Sequence, residues 1–158
     1  MDERLGISEN KAMKLLISTF FTLLLIGSAG SSYGQDVEET KLLAEQGDAL
    51  AQYTLGLMYY YGNDVPENDA EAVKWYRLAA EQGHVNAQWN LGTMYGKGES
   101  VPQNDLKAYV WLSVAVAQGS EDAKTNRDIA SERLTRDQKA QGQEIAAKCF
   151  GSDYKDCE

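Results

Sequence analysis

Apolar residues recur at three- and four-residue intervals through the middle of this chain, the period that sets side chains on one face of an α-helix. Ala51, Leu55, Met58 and Tyr59 form one such stripe, and Ala87, Leu91, Met94 and Tyr95 repeat it later. Ala72, Trp75 and Ala79 form a second, which returns as Ala108, Trp111 and Ala115. Laying residues 47–82 on residues 83–118 without a gap gives roughly 16 identities in about 36 positions, mostly small or apolar residues and glycines. Letters shared in this way describe packing. Each copy predicts two helices, and a helix pair of this length buries its apolar face only by stacking on its neighbours, as in a solenoid.

Gly62 to Asp69 and Gly98 to Asp105 separate the helices of each copy. Glycine ends the first helix, Pro66 or Pro102 bars its continuation, and Asn68 or Asp69, like Asn104 or Asp105, can cap the next. Gly47, Gly83 and Gly119 fall where a left-handed residue closes the second helix. Gly56 and Gly92 lie inside helices at a cost of about 1 kcal/mol each, which close approach of a neighbouring helix would explain, with Tyr59 or Tyr95 filling the adjoining space. Val37 to Gln46 continues the register backwards as the tail of a second helix, and Ala123 continues it forwards. Arg127 and Asp128 replace the Leu-Gly pair there, as expected of a terminal helix that faces water. Thr135 to Gln138 has the form of a capping box and opens a last helix carrying Ile145, Ala146 and Phe150. The expectation is an all-α short solenoid of about seven helices, a flat right-handed stack with a groove.

Ala51, Leu55-Gly56, Tyr59, Gly62, Val65, Ala72, Trp75-Tyr76 and Ala79-Ala80 resemble the Sel1-like repeat, a relative of the tetratricopeptide repeat. The second copy carries the same signature, departing at Leu112 and Val116. The resemblance covers most of residues 36–150. It implies stacked antiparallel helix pairs and an adaptor or scaffold that binds a protein or peptide partner.

Met13-Lys14, an apolar run from Leu15 to Ile26 and the small residues up to Gly34 describe a secretory signal peptide with cleavage before Gln35. Met13 is a candidate start, since Asp2, Glu3 and Glu9 make a poor basic leader. An uncleaved membrane anchor is the alternative. The resulting organisation is a signal over 1–34, a partial repeat helix over 35–46, repeats over 47–82 and 83–118, capping helices over 119–150 and a tail over 151–158. The expected location is periplasmic or secreted, with no stable membrane insertion after cleavage. The signal's charges cancel, so the rest keeps the net charge of −9. That balance disfavours nucleic acid as a partner and suits solubility or a basic partner surface.

Cys149 and Cys157 are the two cysteines, read as lying after the last helix. In an exported chain they suggest a disulfide that pins Phe150 and Tyr154, with a metal or redox pair as the other reading. His84 is the single histidine, at a helix start, with no nucleophile set assembled around it; a surface role is expected rather than that of a base. Gly30-Ser31-Ser32-Tyr33-Gly34 fits a nucleophile elbow in letters but lies at the expected cleavage site, not between strand and helix. Asp64, Glu67 and Asp69 lack the ligand spacing of a calcium loop and suit turns and caps. No catalytic residue, metal or cofactor is expected. The resemblance does carry an enzyme alternative, a cell-wall or β-lactam hydrolase, which suits family members with a cysteine pair in each repeat. An envelope structural protein that oligomerises through its repeat ends is a third reading.

By resemblance to tetratricopeptide repeats, the first helix of each pair lines the concave face. The facing positions are Leu50, Tyr53, Leu57, Tyr60 and Tyr61 in the first copy and Asn86, Trp89, Thr93, Gly96 and Lys97 in the second. All five pairs differ between copies, as expected where residues answer to a partner. Tyr53, Tyr60, Tyr61 and Trp89 would form an aromatic ladder of the kind that anchors interfaces, with core packing as the competing role. Trp75 and Trp111 recur in register and are assigned to the core.

Overall fold

The computed structural model describes residues 32–157, and the expected signal core and start lie outside the described residues. Seven helices make up that region: α1 (Ser32–Glu45), α2 (Ala49–Tyr61), α3 (Asp69–Ala80), α4 (Val85–Lys97), α5 (Asp105–Ala117), α6 (Glu121–Glu132) and α7 (Arg136–Gly151). Residues from Gly34 on form one compact unit. The expected all-α solenoid of helix pairs is the observed fold: α2 packs on α3, α4 on α5, α3 on α4, and α5 receives both α6 and α7.

Local chemistry sets the boundaries. Asn68 and Asn104 cap α3 and α5, each side-chain oxygen accepting a backbone N–H three residues on. Gly62 and Gly98 end α2 and α4 in the left-handed region at φ 66° and 73°. Thr135 and Gln138 form the reciprocal capping box that opens α7.

Gly56 and Gly92 are where helices touch. A Cβ on Gly56 would come within 2.6 Å of the Tyr76 ring, and one on Gly92 within 2.7 Å of Leu112 Cγ. Tyr76 and Leu112 are in register, so each repeat presses one large side chain of its second helix into a hole in its first. The close helix approach expected at these glycines is observed, and Tyr59 and Tyr95 pack in the core beside it.

Between repeats runs a ladder of amides. Gln52 donates to the Ala44 carbonyl at 3.1 Å and accepts from Gln82 at 2.7 Å, and Gln88 does the same with Ala80 and Gln118 at 3.1 and 2.6 Å. Both central glutamines are buried with their amides satisfied, so the ladder fixes register between units as well as holding them.

The main core gathers Ala72, Tyr76, Leu91, Met94, Tyr95, Trp111 and Leu112 around α3, α4 and α5. Trp111 is fully buried as expected, whereas Trp75 is only half-buried, because it stands nearer the end of the stack beside Ala44, Leu55 and Met58. Cys149 lies inside α7, not after it, and is bonded to Cys157. Phe150 is 47% exposed, yet Tyr154 meets its ring edge-on with centroids 5.8 Å apart, so Tyr154 does lie against the last helix as expected. Tyr154 also covers Gly83, where an added Cβ would sit 2.5 Å from its ring.

Candidate functional site

The first helices of successive pairs, α2, α4 and α6, line one concave cleft of about 350 Å³. Tyr53, Leu57, Tyr60 and Tyr61 enter it from α2, Trp89, Thr93 and Lys97 from α4, and Asn126 from α6. Helical spacing places them there: positions three, four and seven apart share a face, and the opposite face is taken by the stack. Tyr53, Tyr60 and Trp89 are half-buried, which reconciles the two roles weighed for them, since each packs on the core and still borders the cleft, as Leu57 does.

Leu50 and Asn86, expected on the same face, are exposed and stand outside the cleft. They lie in the first turns of α2 and α4. Gly96 borders a separate depression. The residues not anticipated are Tyr76, Asn90, Met94, Glu99 and Asn126. Asn126 is one repeat period after Asn90, a signal hidden by the polar character of α6; its amide donates to Thr93 Oγ1 at 2.9 Å and ties α6 to α4.

The cleft is nearly neutral. Lys97 and Glu99 pair across its rim at 3.3 Å, and the Tyr60 hydroxyl donates to Glu99 at 3.5 Å. Burial raises the phenols of Tyr53 and Tyr60 above the ordinary tyrosine value, with Tyr61 adding to the first and Glu99 to the second. Tyr76, at the base, is pushed further up by burial and then by Tyr53, so all these rings stay neutral donors at physiological pH. The Trp89 indole N–H is buried without a hydrogen-bond partner, whereas the Tyr76 hydroxyl faces the Asn90 side chain. Unpaired donors beside a cleft are uncommon in folded proteins and suit an acceptor brought by a ligand or water.

His84 stands at the helix start expected of it and packs on a cleft residue without lining the cleft itself. It is half-buried, caps α4 by accepting the Ala87 N–H on Nδ1 at 3.3 Å, and stacks on Tyr53 with ring centroids 4.4 Å apart. Burial lowers its basicity, its own backbone partly opposing. Asp64 adopts the left-handed turn role expected of it, while Asp69 opens α3 and accepts from Ser100 in the next repeat's loop at 2.7 Å. Among the described residues, no group of three or more potential ligand side chains is placed to hold a metal, and no helix is long and apolar enough to cross a membrane.

The Sel1 repeat family matches residues 49–84 and 85–120. A sel1-like repeat-containing protein of Acanthamoeba polyphaga mimivirus is 50% identical over 38 residues, covering 24% of this chain and 6% of that protein. Among solved structures, a protective antigen of uropathogenic Escherichia coli strains displaying an SLR fold matches with a TM-score of 0.72 and 29% identity, over 80% of this chain and 27% of that one. A Sel1 repeat protein from Oxalobacter formigenes matches with a TM-score of 0.51 and 27% identity, over 70% of this chain and 98% of that one. The chain thus spans a small part of the first two and nearly all of the third.

Proposed function

We propose, from the premise that this chain is a Sel1-like repeat protein, that it is an exported adaptor binding a protein or peptide segment in the cleft between α2, α4 and α6. Folds of this family typically serve as scaffolds for protein–protein interaction and are generally not enzymes. The observation that carries the finer reading is the division of labour between positions. Residues that recur between the repeats, such as Leu55 and Leu91 or Ala72 and Ala108, are buried in the stack, while the half-buried aromatics Tyr53, Tyr60 and Trp89 do not recur and border the cleft. Tyrosine and tryptophan anchor interfaces well because they bring large rigid area with a polar tip. The unpaired indole N–H of Trp89 adds a reason to expect an acceptor on the partner, as a peptide backbone supplies.

Export is supported by the basic start and short apolar run before Gly34, and by the Cys149–Cys157 bridge, which belongs to an oxidising compartment. Two repeats make a short cleft, so affinity for a single segment is expected to be modest. The test is capture from a native envelope extract, followed by titration of the purified captured protein against the native chain and a Tyr53→Ala, Trp89→Ala double variant. Loss of affinity of about tenfold or more in a variant that stays folded supports the cleft. Unchanged affinity places the binding face elsewhere.

A further inference from the structure

Beyond Lys97 the cleft runs into a second depression of about 190 Å³ between α4 and α6, which shares Thr93, Lys97 and Asn126 with it. Gly92, Gly96, Leu112 and Ala130 border it, and Ile129 stands beside it 46% exposed. The two glycines are there for different reasons. Gly92 is required by packing against Leu112. Gly96 is not: an added Cβ would meet only the Ala108 Cβ at 3.5 Å, an ordinary contact, and its φ is not positive. Glycine weakens a helix relative to alanine, so a helical glycine that neither backbone nor packing demands calls for another reason. One repeat earlier the same position is Tyr60, a ring at the cleft wall. Removing that ring in the second repeat is what leaves the depression open.

Its charge is also distinct. Lys97 and Arg133, successive members of one repeat position that begins with Tyr61, both border it, and no acidic side chain does, in a chain of net charge −9. Arg133 uses Nη1 alone, donating to the Gly96 carbonyl at 2.9 Å and to Asp105 at 3.1 Å, which leaves Nε and Nη2 for a further acceptor. The Lys97–Glu99 pair is largely exposed, so exchanging its partner costs little.

We infer that this depression is a subsite for a branched aliphatic side chain with an adjacent carboxylate, the chemistry of a polypeptide ending in leucine, isoleucine or valine. The inference rests on the reading of the main cleft as a peptide site: the chain end seats over Gly96, and the preceding residues lie across Trp89, Tyr60 and Tyr61. Leu112, Ile129 and Ala130 receive the side chain. Arg133 and Lys97 receive the carboxylate.

The test is an amide-resolved NMR titration of the protein with N-acetyl-leucine and N-acetyl-leucinamide, which share a side chain and differ in charge, with N-acetylglycine as the side-chain control. The expected result is saturable shifts at Gly92, Gly96, Ile129 and Ala130, with the acid about fivefold tighter than the amide and N-acetylglycine weaker than either. Arg133→Gln should bring the acid-to-amide ratio to about one while leaving the amide unchanged, whereas a merely structural role would weaken both alike. Gly96→Leu should abolish binding of both, and Gly96→Ala, which has room for its methyl, should keep the fold and raise the thermal midpoint. Equal affinity for acid and amide, or shifts away from these residues, overturns the inference. Its failure is separable from that of the main reading: a partner segment that binds the native chain but not the Tyr53→Ala, Trp89→Ala variant, and tolerates Gly96→Leu, removes the subsite and leaves the cleft.

Discussion

The two repeats carry the same packing letters and bury them to different depths. Met94 and Tyr95 are 3% and 4% exposed, while Met58 and Tyr59, their counterparts, are only half-buried. Trp111 is sealed and Trp75 is not. The second repeat has helices packed on either side, α3 before it and α6 with α7 after it, while the outer side of the first meets the single helix α1 around Ala44. Sequence identity therefore reports the role of a position in the stack, and place in the stack decides how much that role is worth. In a solenoid, stability is a sum of intrinsic and neighbour terms, and the inner unit collects more of the second kind.

The sharpest way to break this comparison is at the tryptophans. Trp111→Ala removes a fully buried ring and should cost about 3–5 kcal/mol, whereas Trp75→Ala should cost roughly 1–2 kcal/mol, since part of its surface is already wet. Denaturant midpoints of the two variants measure the gap, and equal losses would contradict unequal burial.

Next come the helical glycines. Gly92→Ala and Gly56→Ala each force a methyl into a neighbour closer than 3 Å and should cost about 1–3 kcal/mol. The two should differ in function. The neighbour of Gly56 is Tyr76, at the cleft base, so Gly56→Ala should also weaken partner binding; Leu112, the neighbour of Gly92, lies under the second depression.

The disulfide braces only the far end. Replacing Cys149 and Cys157 together by alanine should cost about 2–3 kcal/mol in the chain-entropy picture and free Tyr154 from Gly83. Hydrogen exchange should speed up along α7 and the α3–α4 turn, and leave α2 unchanged. Uniform acceleration through α2 would show that the two ends are not separable.

The smallest effect separates the helix caps. Asp48 caps α2 with a carboxylate at 2.7 Å from the Ala51 N–H, and His84 caps α4 with a neutral imidazole. The lowered basicity of His84 means the unfolded chain takes up the proton first as pH falls. The cap's contribution is therefore complete above the unfolded value of 6.5, declines as pH drops through it, and levels off below the lowered folded value. The loss should be at most about 1 kcal/mol, discounted because the ring is only partly buried. Thermal midpoints followed across that interval should show the decline in the native chain and not in His84→Asp. A decline of the same size in both would assign it to other groups.

Much of this was legible in the chain itself. Helix limits followed from Asn68, Asn104, Gly62, Gly98 and the Thr135 box, because caps and left-handed glycines act through bonds three or four residues away. The cleft was legible where repeat positions failed to match, at Tyr53, Tyr60, Tyr61 and Trp89. What escaped notice depends on contacts between distant residues: Asn126 reaching Thr93, Tyr76 rising under Gly56, the Gln52 and Gln88 ladder, Tyr154 folding back on Gly83. His84 was legible as a helix-start residue but not in its ring contact. Its capping role is local, but the stack on Tyr53 is set by how α2 meets the α3–α4 turn.

The most direct test of the division between stacking and binding positions is side-chain oxidative footprinting of the chain, free and saturated with its captured partner. Protection is expected at Tyr60, Tyr61 and Trp89, with Trp75 and the exposed Leu42 and Leu43 of α1 unchanged. Protection of Leu42 and Leu43 with an unprotected cleft would contradict it and place the partner on the open end of the stack.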